Sequence, residues 1–75
     1  MLKYNDIKRI HILLRADIKS AKTIKRLYKL NRILKYLTNT IINSAIYSRK
    51  ERDLAKREYE KTFKLLLLRY HELKK

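Results

Sequence analysis

A chain of 75 residues that contains 21 lysines and arginines, only 7 acidic residues and no glycine, proline or cysteine is narrowly restricted in fold and function. Without cysteine it cannot form disulfides or thiolate metal sites, and without glycine or proline it disfavours the tight turns of β-hairpins. A net charge of +14 opposes compaction unless anions neutralise it, so we expect a polyanionic partner.

The same features predict a single basic helical domain over residues 1–75. We expect an all-α fold, either an antiparallel helical hairpin or a small three-helix bundle of long helices. Because so short a chain buries a modest core, we also expect it to assemble into an oligomer. No apolar run reaches the roughly 18 residues that cross a bilayer, and residues 1–6 lack the apolar core of a secretory signal. We therefore expect an intracellular location in the cytoplasm or nucleoid, or inside a virion or ribosome assembled there.

The first predicted element is a long amphipathic helix whose N-cap is Asn5 or Asp6. From Ile10 onward, apolar or small residues recur at helical spacing and predict one buried seam. The seam consists of Ile10, Leu13, Ala16, Ser20, Ile24, Leu27, Leu30, Leu34, Leu37 and Ile41. A continuous helix from about residue 6 to 37 fits this spacing, and so does a helix that breaks near Ser20.

The most informative feature is the absence of acidic residues between Ile18 and Lys50. Cations follow one another at steps of three or four from Arg15 onward, so a continuous helix about 25 Å long would carry a cationic edge opposite its apolar edge. Lysines act as point charges for phosphates, and arginines bind them bidentately. Solvated faces normally mix both signs of charge, as residues 49–61 do. The predicted nucleic-acid-binding residues are Arg15, Lys19, Lys22, Lys25, Arg26, Lys29, Arg32 and Lys35.

Two tyrosines, Tyr28 and Tyr36, lie among these cations. Aromatic rings beside cations can stack on unpaired bases. More often such tyrosines cover the edge of a core and keep the hydroxyl in water, and we favour that interpretation here.

Two segments compete as the turn before the last helix. Residues 38–44 are the weakest helix formers of the chain and are the first candidate. The second is Ser48, which is spaced to form a capping box with Glu51. Alternatively, Ser48 lies inside a helix that begins near Ser44. Residues 49–75 are predicted to be helical, with an apolar stripe formed by Ala55, Tyr59, Phe63, Leu66, Tyr70 and Leu73.

Four consecutive leucines at positions 65–68 cannot all face one side of that helix. Leu66 joins the apolar stripe, whereas its neighbours point elsewhere. In so charged a chain, apolar residues outside the main stripe indicate a second contact surface. We therefore predict that Leu65, Leu67 and Leu68 contact another copy of the chain or another partner.

No combination of side chains indicates catalysis. His11 and His71 are far apart in sequence, and neither has a carboxylate or a second histidine three or four positions away. The chain has no cysteine nucleophile and no glycine-rich phosphate loop, and Asp17 is the only carboxylate between Ile7 and Lys50. We therefore expect no enzymatic activity, cofactor, metal site or small-molecule substrate.

Residues 8–46 loosely resemble the ribbon-helix-helix DNA-binding fold. Residues 8–14 could form its short N-terminal strand, and residues 37–46 resemble the start of its second helix. The resemblance implies a dimer whose paired strands enter the major groove, with Arg9 and His11 reading the bases.

The expected function is to coat, package or brace DNA or RNA through phosphate contacts with little sequence preference. A nucleoprotein of a virus or mobile element and a small ribosomal protein both suit this function. One alternative is a dimeric DNA-binding regulator of the ribbon-helix-helix type. A second is a cationic helical protein that acts at, or disrupts, a membrane surface, and a third is an adaptor or inhibitor that presents basic helices to an acidic protein.

Overall fold

Three helices make up the structure, a computed structural model that describes residues 3–74. They are α1 (Tyr4–Ser20), α2 (Ile24–Ile42) and α3 (Arg49–Lys74), and no strand occurs among the described residues. The all-α prediction is confirmed, and the chain forms three helices rather than a two-helix hairpin. Within the described range, every helix is too short or too polar to span a membrane.

Helix α1 begins earlier than predicted and is separate from α2. The backbone N–H of Lys3 donates to the Asp6 carboxylate, 3.0 Å away, so the N-cap lies before the predicted Asn5 or Asp6. The chain leaves the helix at Ala21, whose ψ of 133° is extended. Thr23 then caps α2, its side chain accepting from the backbone N–H of residue 26 at 3.2 Å. The break near Ser20 is thus confirmed, and the continuous helix to residue 37 is wrong.

The junction between α1 and α2 is also held from α3. The Arg69 guanidinium donates to the carbonyl oxygen of Ala21 through two nitrogens, at 2.7 and 3.0 Å. A charged donor is well suited to a backbone carbonyl that has no helical partner. Arg69 therefore fixes the corner at which the chain reverses.

The turn between α2 and α3 comprises residues 43–48 rather than the predicted 38–44. Thr38 and Ile41 are buried, so tertiary packing outweighs their weak intrinsic helix propensity. The hydroxyl of Thr40 donates to the carbonyl oxygen of Tyr36 at 2.7 Å, which satisfies that polar group within the helix.

Helix α3 begins at the predicted capping box. The backbone N–H of Ser48 donates to the Glu51 carboxylate at 3.0 Å, and the backbone N–H of Glu51 donates to the Ser48 hydroxyl at 3.2 Å. These reciprocal bonds satisfy two N–H groups at the helix terminus. The alternative in which Ser48 lies inside a longer helix is wrong.

The helices run up, down and up, so α1 and α3 are parallel and α2 is antiparallel to both. Ile7 shares a core cluster with Leu54 and Ala55, and Ile18 shares another with Leu66. Helix α3 packs along both other helices, whereas α1 and α2 contact each other much less. The result is an elongated bundle of 42 × 18 × 17 Å in which α3 is the common packing partner.

The predicted seam is confirmed in α2 and wrong in most of α1. Leu27, Leu30 and Leu34 are buried as predicted. In α1 the predicted seam residues Leu13, Ala16 and Ser20 are exposed. The buried residues of α1 are instead Ile7, His11, Leu14 and Ile18. Because α1 ends at Ser20, its buried face need not continue that of α2.

Helix α3 buries a wider face than the single stripe predicted for it. Its buried residues are Leu54, Ala55, Glu58, Thr62 and Leu66. Two helices pack against α3 from different directions. Leu54, Glu58 and Thr62, on one flank of the predicted stripe, therefore also lose solvent contact. Two of these five residues are polar and require internal partners.

The ribbon-helix-helix alternative is wrong. Residues 8–14, which that fold would use as a strand, lie within α1. Residues 37–42 form the end of α2 rather than the start of a helix. His11, a predicted base reader, is fully buried.

Replacing Leu34 with alanine should lower the free energy of unfolding by about 2–5 kcal/mol, because the change removes buried methyl groups and leaves a cavity. Leu34 is fully buried in a cluster to which all three helices contribute. Urea denaturation followed by circular dichroism measures the loss. Leu13→Ala is the matched control, since Leu13 is 60% exposed and the same change there should cost less than about 0.5 kcal/mol. Equal losses in the two variants would contradict this core.

Candidate nucleic-acid interface

The outer face of α2 is a surface of positive charge alone. Helix α2 contains five lysines and arginines and no acidic residue. Its leucine face is buried against the other two helices, so its charged residues must face solvent. All five cations are exposed: Lys25, Arg26, Lys29, Arg32 and Lys35.

These cations lack internal counter-charges, unlike three of those on α3. The acidic residues of the chain belong to α1 and α3. On α3, Arg49 lies 4.0 Å from Asp53, and Arg69 lies 3.7 Å from Glu72. Among the described residues, no ion pair involves a cation of α2. The charge of α2 is therefore left for a partner or for dissolved ions to neutralise.

Lys19 and Lys22 are exposed as predicted but do not continue the cationic edge of α2 in one helix. Lys19 belongs to the last turn of α1, and Lys22 lies in the three-residue connection. The predicted rod of about 25 Å is thus wrong, and the part of it on α2, from Lys25 to Lys35, is about 15 Å long. Both lysines lie at the end of the bundle where α2 begins, so they can extend the surface there.

Arg15 alone among the eight predicted contact residues is engaged inside the bundle. Its guanidinium nitrogens lie 3.3 Å from Glu58 Oε1 and 3.3 Å from Thr62 Oγ1. The Arg15 side chain is 25% exposed, and that of Glu58 is almost fully buried. Removing Arg15 would leave a buried carboxylate with only Lys61, at 3.5 Å, as a partner. We therefore assign Arg15 a structural role.

His11 belongs to the same polar cluster, a role that the sequence pattern did not predict. The fully buried ring lies with Nδ1 2.9 Å from Thr62 Oγ1. The helical spacing of His11 indicates that it is buried, because it lies four positions after Ile7 and three before Leu14, on the face that α1 buries. The predicted seam, which includes Leu13 and Ser20, assigned a different face of α1 to the core.

This environment shifts two pKa values. Burial lowers the pKa of His11 below its ordinary 6.5, with the negative charge of Glu58 opposing the shift and Arg15 adding to it. Burial disfavours ionisation of Glu58, but the charges and hydrogen bonds of Arg15 and Lys61 outweigh it, so the pKa of Glu58 lies below its ordinary 4.5. The cluster therefore holds a neutral imidazole beside an ion pair.

Two tyrosines interrupt the cationic face of α2. Tyr36 is 76% exposed, so the prediction that it covers a core edge is wrong. Tyr28 is 58% exposed, and its ring centroid lies 6.4 Å from that of Tyr70 across the groove between α2 and α3. The prediction that the tyrosines cover the edge of a core is therefore partly confirmed for Tyr28.

The three leucines predicted as a second contact surface do not share one face. Leu65 is half-buried against the core. Leu67 is 42% exposed and lines the groove that also contains Tyr28 and Tyr70. Leu68 is one residue further along and therefore points about 100° away from Leu67. Leu65 is corrected to a core-flanking residue, and contact through the other two stays a prediction.

Comparison of the chain with known protein families, with curated proteins and with solved structures returned no match. Within residues 3–74, no three side chains of His, Asp or Glu are grouped so that they could hold a metal ion. The charges and the shape of the surface are therefore the features that indicate its function.

Acidification should destabilise the fold, because the unfolded chain protonates His11 at pH values where the folded chain does not. Stability should fall as the pH drops below 6.5 and level off below the folded pKa of His11, with a further loss from Glu58 below 4.5. Thermal denaturation across this range measures the slope.

The variant His11→Asn should flatten the slope just below pH 6.5, whereas His71→Asn, which changes an exposed histidine of α3, should retain it. If both variants keep the full slope, His11 is not its source.

Proposed function

We propose that this protein binds nucleic acid through its phosphates, using the exposed face of α2 together with Lys19 and Lys22. The observation that carries the proposal is the set of five exposed cations on α2, none of which has an acidic partner among the described residues. This arrangement differs from the mixed charges of α3, where ion pairs reduce the local potential.

Electrostatic repulsion among these cations is unfavourable when the face is unbound, and it favours the binding of a polyanion. Residues three or four apart on a helix have Cβ atoms about 5–6 Å apart, and like charges at that spacing are destabilising. Lys25 and Lys29 are so related, as are Arg26 and Lys29, and Lys29 and Arg32. A phosphate backbone supplies counter-charge along the same line, and releasing its condensed counterions favours binding.

The character of the contacts supports binding with little sequence preference. Phosphate contacts position a protein on nucleic acid without reading its bases. Lysine offers a point charge, and Arg26 and Arg32 can each donate two hydrogen bonds to one phosphate. A protein of this kind would coat, package or brace DNA or RNA, as an intracellular nucleoprotein of a virus or mobile element, or as a small ribosomal protein.

One further observation favours the membrane alternative. Ile33 and Tyr36 are exposed beside Lys29 and Arg32, and apolar residues among cations are typical of helices that lie on anionic bilayers. Co-sedimentation with anionic vesicles tests this alternative. Strong vesicle binding without polynucleotide binding would favour it over the proposal.

Self-association is a separate prediction. Leu67 and Leu68 are exposed apolar residues on α3, so a second copy of the chain could bury them. The double variant Leu67→Lys/Leu68→Lys should then sediment at a lower mass than the original chain in analytical ultracentrifugation. The same mass for both would remove these leucines from any interface.

Reversing two charges on α2 should weaken nucleic-acid binding. The variant Lys29→Glu/Arg32→Glu should raise the dissociation constant for a DNA duplex at low salt by at least about tenfold and reduce the slope of log affinity against log salt by about two. Titration of a labelled duplex at several potassium chloride concentrations measures both. The new glutamates lie one turn from Lys25 and Lys35, so ion pairs should keep the helix intact.

The matched control is Arg57→Glu/Lys64→Glu on α3. It also replaces one exposed arginine and one exposed lysine, so it lowers the net charge by the same amount. Its affinity should fall much less. Equal losses would show that net charge, rather than the α2 face, drives binding, and no loss in either would refute the proposal.

A further inference from the structure

Tyr36 is the most exposed of the six tyrosines, and no other aromatic ring packs against it. All six tyrosines lie within the described residues. Tyr59 stacks on Phe63 with ring centroids 5.6 Å apart, and Tyr28 packs beside Tyr70. The ring of Tyr4 has two lysine ammonium groups over it, at 5.1 and 5.4 Å, and Tyr47 is buried. Among these residues, no ring or cation lies against the ring of Tyr36, which is 76% exposed.

The surroundings of Tyr36 form a shallow depression with a mostly apolar floor. It is lined by Lys29, Arg32, Ile33 and Tyr36. These positions are spaced i, i+3, i+4 and i+7, so they form one stripe along two turns of the helix. The stripe lies opposite the buried leucines of α2 and thus faces away from the bundle. Ile33, which is half exposed, extends the flat surface beside the ring.

The chemistry of this depression matches an unpaired nucleotide. A base has a flat aromatic face that stacks on a tyrosine ring, and the phosphates beside it bind to neighbouring cations. Tyr36 supplies the ring, Ile33 supplies adjoining apolar surface, and the two cations are positioned one and two turns earlier along the helix. Bases in a duplex are already stacked on one another and cannot use such a surface.

We infer that the stripe of Lys29, Arg32, Ile33 and Tyr36 is a stacking site for an unpaired base, so that the protein prefers single-stranded nucleic acid or unpaired segments over duplex. This inference rests on the proposed function, because the phosphate contacts hold the strand against the ring. Tyr28 lies about 12 Å from Tyr36 along the axis, towards the start of α2. Because its ring already packs beside Tyr70, the primary stacking role belongs to Tyr36.

Substitutions at Tyr36 separate stacking from simple apolar contact. Tyr36→Phe keeps the ring and should bind an oligodeoxythymidylate strand with nearly unchanged affinity. Tyr36→Leu keeps an apolar side chain without a ring and should weaken that binding about fivefold to tenfold, the range expected for losing one stacked base at an exposed site. Affinity for a duplex of the same length should be unchanged in both variants.

The charge-reversal variant Lys29→Glu/Arg32→Glu makes the two proposals distinguishable. If it weakens binding to strand and duplex alike while Tyr36→Leu affects neither, nucleic-acid binding stands and the stacking site is wrong. If the charge reversal has no effect on either ligand, the proposed function itself fails.

A tryptophan reporter gives a second readout. The chain contains no tryptophan, so Tyr36→Trp introduces a unique fluorophore at the site. Its fluorescence should be quenched by oligodeoxythymidylate and not by duplex. Leu68→Trp, at a comparably exposed position on α3, is the control and should not be quenched. A blue shift of the Tyr36→Trp emission with anionic vesicles, without quenching by the strand, would overturn the inference in favour of a lipid surface.

Discussion

The burial of Leu27, Leu30 and Leu34 against α3 determines where the charge of this protein lies. A helix can turn only one face to a core, and lysine and arginine are too costly to bury without partners. Once the leucines are inside, all five cations of α2 must lie on the remaining surface. The cationic face is therefore a consequence of packing, and the helix fixes the backbone positions from which its side chains extend.

Helix α3 gives the bundle a different balance of charge on its two sides. It contains most of the acidic residues, contacts both other helices, and engages Arg15 through Glu58 in the interior. Three of the cations of α3, Arg49, Lys61 and Arg69, make ion pairs, whereas no cation of α2 does so among the described residues. Buried ion pairs add little net stability, but breaking one is costly, so the Arg15–Glu58 contact favours one arrangement of α1 against α3.

The sequence predicts the buried face of α2 and the start of α3 well because local and tertiary preferences agree there, whereas the end of α2 lies in residues that were predicted to form a turn. The leucine spacing of α2 permits one buried face, and Ser48 with Glu51 forms a cap from neighbouring residues alone. The buried face of α1 is harder to predict from the sequence, since apolar residues lie on more than one side of this helix. Leu13 and Leu14 are both plausible core residues, and only the position of α3 selects Leu14. The buried His11 and Arg15 follow from that selection, so a local pattern could not identify their partners.

The corner between α1 and α2 depends on a side chain that is 48 positions away in sequence, since Arg69 donates to the carbonyl oxygen of Ala21. A growing polypeptide contains both α1 and α2 before it contains this arginine. The two hydrogen bonds by which Arg69 holds this corner can therefore form only after α3 has been synthesised. This contact joins the corner between α1 and α2 to the C-terminal part of α3 at the same end of the bundle, so the three helices should gain their final order together during synthesis rather than one after another.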